Sequence, residues 1–161
     1  MIARATAAVA TALALGLPLP VAAQTKSDGK ASPEVARGRY LVQVGGCNDC
    51  HTPGYGPRAG KVPEAEWLVG DALGFRGPWG TTYPTNLRLY FKDLTEAEWL
   101  KRARTVEMRP PMPWFNLRAM TDADLKAIWR YVRAAGPAGQ AAPAALPPGG
   151  TPNGPVVQFP G

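Results

Sequence analysis

The sequence predicts an all-α domain of three to four helices joined by long loops. Three observations carry that prediction. First, Ser32–Val44, Thr95–Arg104 and Thr121–Ala135 each combine an N-terminal cap with apolar residues at helical spacing. Second, Thr52 to Phe91 is dense in Gly, Pro and aromatic residues and has no clear period. Third, the only two cysteines and the only histidine of the chain stand together, as Cys47-Asn48-Asp49-Cys50-His51. A chain of 161 residues has the length of one domain.

The N-terminus reads as a secretory signal peptide, residues 1–23. Arg4 is its single charge, an apolar run follows from Ala5 to Leu17, and Val21-Ala22-Ala23 resembles a small-residue cleavage site. The run is rich in alanine and shorter than the roughly 20 residues that a spanning helix needs, so no transmembrane segment is expected after cleavage. Gln24 to Ala31 is polar and reads as mobile. The first helix begins at Ser32-Pro33-Glu34, with Ser as cap, Pro at the first helical position and an acid in the first turn. Val35, Tyr40, Leu41 and Val44 form its stripe, and Gly45-Gly46 ends it. Gly38 lies inside it, at a cost of about 1 kcal/mol relative to Ala, read either as a close approach of another helix or as a simply tolerated glycine.

The order C-x-x-C-H that follows reads as the attachment site of a c-type haem. Each thiol adds across one vinyl group, its S–H hydrogen going to the adjacent carbon. The histidine that follows is then placed as proximal axial ligand of the iron. Cys47 and Cys50 are therefore the candidate covalent haem residues, and His51 is the candidate iron ligand. A structural zinc site needs four Cys or His ligands, and the chain has three such residues. A thioredoxin-like dithiol needs a βαβ context, and no alternating strand and helix pattern surrounds the motif. Haem also accounts for the aromatic stretch. Loops containing Trp67, Phe75, Trp79, Tyr83, Tyr90 and Phe91 are able to pack around a large apolar group, either as the wall of its crevice or as ordinary core.

Thr95-Glu96-Ala97-Glu98 is a capping box for the second helix, whose inner face is Leu94, Trp99, Leu100 and Ala103. The prolines of Met108–Phe115 forbid a regular helix there. Thr121 with Asp124 caps the third helix, with Leu125, Ile128, Trp129 and Val132 on its apolar face and Gly136-Pro137 as its stop. The remainder to Gly161 is half Pro and Gly and reads as an extended or disordered tail, with Val156, Val157 and Phe159 as the residues able to dock.

Because His51 is the only histidine, bis-histidine ligation within the chain is excluded. The other axial position is taken by methionine, or it is open or water-bound. Met108, Met112 and Met120 are the candidates. Met112 is favoured because Pro111 and Pro113 make its segment extended and stiff, which holds the side chain at little entropic cost. Met120 precedes a helix cap and suits packing, and Met108 between Glu107 and Arg109 reads as exposed. A thioether opposite histidine raises the reduction potential and occupies the iron.

From Ser32 to Gly136 the order of helix, C-x-x-C-H, loops, Met-Pro segment and closing helix resembles class I cytochrome c. Met112-Pro113 is similar to the segment that supplies the distal ligand there, and Ala127–Val132 to the closing helix. The resemblance implies a small cytochrome c fold wrapped around one haem c, attached outside the bacterial cytoplasm, with Gly38 and Tyr131 at a helix crossing. Gly77–Leu87, Pro111–Trp114 and Met120–Leu125 resemble, more narrowly, the cytochrome c subunits of membrane-bound periplasmic dehydrogenases. Those subunits commonly carry several haems, and this chain has one motif.

The expected function is that of an exported mono-haem electron carrier in the periplasm. Its partners would be redox proteins, a periplasmic dehydrogenase or a terminal oxidase among them. The alternatives are an accessory haem subunit of such a dehydrogenase, and a haem enzyme or gas-binding protein with a displaceable distal ligand. The net charge of +6 favours acidic partners. Arg58, Lys61, Arg109 and Arg118 lie near the motif or the distal loop. Lys and Arg are scattered and no recognition motif accompanies them, which ranks nucleic acid low.

Overall fold

The computed structural model describes residues 31–160. The signal-peptide expectation for 1–23 and nearly all of the 24–31 stretch lie outside them. The described chain contains six helices: α1 (Pro33–Val44), α2 (Cys47–His51), α3 (Leu87–Tyr90), α4 (Glu96–Thr105), α5 (Trp114–Ala119) and α6 (Asp122–Ala135). It also contains three short strands, β1 (Gly74–Gly77), β2 (Gly80–Thr82) and β3 (Val156–Gln158). The architecture is mostly helical and not all-α. No helix among the described residues is long and apolar enough to cross a membrane.

The three long helices start where their caps place them. The Ser32 hydroxyl accepts from Val35 N–H, and Thr121 accepts from Asp124 N–H. Thr95 and Glu98 form a reciprocal capping box, which holds two otherwise unpaired donors at the start of α4. The core joins Leu41 and Val42 of α1 to Leu125, Ile128 and Val132 of α6, with Trp99 of α4 alongside. Trp99 donates its indole N–H to the Leu125 carbonyl at 2.8 Å.

The α1–α6 crossing depends on Gly38. A Cβ at that position would lie 2.0 Å from the Ala127 carbonyl oxygen and 2.7 Å from Tyr131 Cβ. The helix backbones therefore touch where no side chain fits, and the propensity lost at Gly38 is offset by the closeness of the packing.

The strands are the main departure from the predicted fold. The β1–β2 hairpin pairs Phe75 with Thr82 and Gly77 with Gly80 across the Pro78-Trp79 turn. Strands of four and three residues are too short to show a period of two against a background of Gly and Pro. The tail supplies the third strand. β3 lies parallel to β1, with Phe75 opposite Val157, and gives the sheet order β2-β1-β3. Pro155 and Pro160 flank β3, which suits an edge strand that lacks donors at its ends. A bridge between Thr81 and Leu146 fixes the tail a second time. The Phe159 ring then meets Trp79 at 5.4 Å and Phe75 at 6.2 Å. The tail is thus laid along the hairpin rather than free of it. Its prolines limit the entropy lost on ordering, and its carbonyls serve as acceptors for the domain.

A buried cation ties the pieces together. Arg88 on α3 is only 7 % exposed, and its guanidinium donates to the carbonyls of Ala135, Gly136 and Ala65. Two of these acceptors lie at the C-terminal end of α6, where the helix dipole favours positive charge.

Candidate haem-attachment site

Gly46, in the left-handed region at φ +72°, turns the chain between α1 and α2. Cys47, Cys50 and His51 then occupy positions i, i+3 and i+4 of one helical turn. These positions share a helix face. The structure thereby brings the three residues of the motif together. Both cysteines are free and half-buried, and His51 is 8 % exposed.

The histidine is oriented by its own hydrogen bond. His51 Nδ1 lies 2.7 Å from the Thr85 carbonyl oxygen. A carbonyl only accepts, so Nδ1 carries the hydrogen and Nε2 keeps its lone pair. Burial lowers the imidazole pKa, and the Thr85 contact opposes this in part. At neutral pH the ring is neutral and Nε2 is a ligand atom. Burial also pushes the Cys47 thiol up to about 11, with Asp49 and Cys50 adding to the rise. Cys50 is raised by burial and by Asp49. Both groups are therefore thiols at neutral pH. A catalytic redox dithiol has a depressed pKa instead, so this environment argues against a thioredoxin-like role.

Two residues absent from the predicted site hold α2 in place. Asn48 and Thr52 are fully buried, and Thr52 Oγ1 donates to Asn48 Oδ1 at 2.7 Å. The same hydroxyl accepts from Leu68 N–H at 2.8 Å. Leu68 is buried with φ +62°, a strained conformation for leucine, and its carbonyl accepts from Leu87 and Arg88. The network couples the motif to the loop that carries the histidine's acceptor. Their signal in the sequence was only an Asn inside the motif and a Thr directly after it. Thr52→Val keeps the shape and removes the hydroxyl, leaving Leu68 N–H and Asn48 Oδ1 without their bonds. The expected loss is about 1–3 kcal/mol of stability, read by urea denaturation. A variant as stable as wild type would show that the network is dispensable.

Met112 lies in the connection between α4 and α5. The segment is tightly turned rather than extended. The Pro110–Pro111 peptide is cis, and Met112 N–H donates to the Arg109 carbonyl at 3.2 Å. The Met112 carbonyl accepts from Trp114 N–H at 2.9 Å across Pro113. Pro113 is also the residue before α5, so the prolines end where that helix starts. Arg104, in the last turn of α4, ties that turn to the C-terminal end of α5 by donating to the carbonyls of Arg118 at 2.6 Å and Met120 at 2.7 Å. Met108, Met112 and Met120 are all half-buried against the core, so Met108 is less exposed than its charged neighbours suggest. The Met120 methyl lies beside Gly45, a packing position at the end of α1.

The aromatic stretch divides between core and tail. Trp67, Tyr83 and Phe91 are buried, and Phe91 packs on Trp99 with ring centroids 4.7 Å apart. Phe75 and Trp79 face Phe159. Of the basic residues named above, Arg58 pairs with Glu66 at 3.5 Å, and Arg118 lies over the Trp114 ring at 4.3 Å. A cleft of about 310 Å³ lies away from the motif and is lined by Glu64, Arg88 and Tyr131. Its polar groups are already engaged, since Glu64 accepts from Tyr131 at 2.9 Å and from Arg39 at 2.7 Å.

The donor set fits a haem better than a bare metal ion. Among the described residues, no three or more His, Cys, Asp or Glu side chains are gathered as a metal would need. A haem asks for two thiols and one oriented imidazole on one turn, and α2 presents these. Asn48 Nδ2, inside the motif itself, is a buried donor with no partner among the described residues, as are Trp79 Nε1, Thr81 Oγ1 and Thr82 Oγ1 of the hairpin. Comparison with protein-family models, curated proteins and solved structures gives no match, so the functional reading rests on the chain's own residues.

Proposed function

We propose that the protein is an exported mono-haem c-type cytochrome that passes single electrons between periplasmic redox partners. The observation that carries this reading is the α2 turn. Two half-buried thiols and a neutral imidazole, with Nδ1–H bonded to a carbonyl, share one face. When bound, haem c supplies a one-electron ferric–ferrous couple.

The chain's own residues then have separable tasks. Cys47 and Cys50 hold the group covalently. His51 offers Nε2 while Thr85 fixes the ring's tautomer and direction, which raises the basicity of the ligand. Met112 would supply the second ligand through its thioether sulfur. Its proline neighbours and two backbone hydrogen bonds support this role, because they limit the places its side chain can reach. With a single histidine, the chain has no distal imidazole to serve as acid or base, which favours electron transfer over peroxidase-type chemistry. Lys61 and Arg109 form no ion pair among the described residues, and they are the basic groups proposed to steer an acidic redox partner.

Optical spectra test the assignment. The holoprotein, oxidised and reduced, with and without CO, is compared with Met112→Ala. The wild type is expected to be low-spin in both states and to ignore CO. The variant is expected to bind CO and to lose low-spin character. CO binding by the reduced wild type would replace the carrier with a protein whose distal position is displaceable. A variant that stays low-spin would move the ligand away from Met112.

A further inference from the structure

The acceptor that orients His51 belongs to a residue with little hold of its own. Thr85 is exposed, and no hydrogen bond of its side chain fixes it. Its neighbour Asn86 is 2 % exposed and uses its side-chain amide fully. Oδ1 accepts from Leu89 N–H at 3.0 Å and caps α3. Nδ2 donates to the carbonyls of Ala138 at 2.8 Å and Gln140 at 3.0 Å, both in the tail.

A cap alone needs only the oxygen. The two bonds from nitrogen reach a segment about fifty residues further along, and that segment is shaped to receive them. Gly139, between the two acceptors, has φ +71°. A Cβ on it would lie 3.1 Å from Asn86 Nδ2 and 3.0 Å from Val69 Cβ. The tail thus curls closely around the amide at a left-handed residue, where a side chain would be strained and would press on Asn86 and Val69. On the other flank, Gly70 N–H donates to the His51 carbonyl at 2.9 Å. A Cβ on Gly70 would lie 2.7 Å from the Asn86 backbone nitrogen. His51, Gly70, Thr85, Asn86 and the tail are therefore in consecutive contact. The His51–Thr85 bond, at 2.7 Å, is at the short end of N–H···O geometry, where a small displacement of the acceptor changes its strength.

We propose that Asn86 is a positioning residue for His51, and that the Ala138–Gln140 segment acts through it on the Thr85 carbonyl. The tail is then part of the proximal side of the site. Its docking sets how strongly the imidazole is polarised, and thereby the redox poise of the couple. The redox consequence rests on the haem reading, while the coupling from tail to histidine does not.

Two variants of the full-length protein separate the tasks of Asn86. Asn86→Asp keeps the oxygen that caps α3 and removes both donors to the tail. Gly139→Ala leaves Asn86 intact and pushes the tail off it. Both are expected to weaken the Nδ1–H bond and raise the reduction potential. The ferrous-to-ferric ratio should rise about threefold at a fixed potential, close to 30 mV at 59 mV per tenfold for one electron. Exchange of His51 Nδ1–H with solvent, followed by ¹⁵N NMR, is expected to accelerate about tenfold while Leu89 N–H stays protected. Unchanged exchange and potential in both variants, with tail amides released, would overturn the proposal and leave Asn86 a cap. A shift in Asn86→Asp alone would also overturn it, because the tail would not be the carrier. If Asn86→Asp does not fold, Gly139→Ala decides by itself. If the wild type holds no haem by the pyridine haemochrome assay, the cytochrome reading fails, and the Nδ1–H exchange still decides the coupling.

Discussion

Replacing both Cys47 and Cys50 with serine is expected to abolish haem staining of the chain on a denaturing gel, in cells that mature c-type cytochromes. The wild type should stain under the same conditions. The hydroxyls of serine do not form the thioethers, and the neutral thiols of α2 are the only sulfhydryl groups in the chain. A single Cys→Ser variant should retain one link and stain more weakly. This experiment discriminates most sharply among the readings of the motif. A zinc site or a redox dithiol would leave the wild type unstained. The double variant should also lose thermal stability, because ligand binding to the native state alone stabilises by mass action, and a covalent link makes that contribution permanent.

The largest stability effect without any change to the site is expected at Gly38. Gly38→Ala places a methyl group 2.0 Å from the Ala127 carbonyl oxygen, a backbone atom that no side-chain rotation relieves. Alanine gains about 1 kcal/mol of helix propensity. Overpacking costs about 1–3 kcal/mol and occasionally more, and a clash with backbone belongs at the upper end. The net loss should be about 2 kcal/mol, which lowers the melting temperature by roughly 8 °C in a domain of this size. Gly38→Val should fall further, since branching also restricts χ1 in a helix. Thermal unfolding followed by circular dichroism reads both. A Gly38→Ala protein melting within 2 °C of wild type would mean that the two backbones do not meet there.

The parts of this fold that were legible in the sequence share a physical basis. α1, α4 and α6 each announce themselves by a cap that satisfies orphan donors and a stripe that buries one face, and both signals are local. Gly38 was legible as an anomaly, a glycine in mid-helix that needs a neighbour to explain it. The C-x-x-C-H spacing was legible because it lies along one short segment, which the structure folds into one helical turn. What the sequence did not show depends on contacts across the chain. β3 exists because Val156–Gln158 meets β1, and neither strand is long enough to declare a period. α3 and α5 are shorter than two turns, too short for an apolar stripe to repeat. The turned shape around Met112 was hidden because prolines fix φ but leave open which way the chain folds back. Thr85 was invisible as a partner of His51, because it contributes a backbone carbonyl, which every residue possesses.

The parallel pairing of β1 with β3 also bears on the order of assembly. Gly74 is partnered by Val156, about eighty residues later. During synthesis or export the chain emerges from its N-terminal side, so the β1–β2 hairpin and the motif are made well before the strand that completes their sheet. Until then the outer edge of β1 has open hydrogen-bonding groups and Trp79 lacks its ring partner Phe159. The β1–β2 hairpin therefore spends its early life open along the edge that β3 later covers, and the arrival of the tail is the step that closes the sheet.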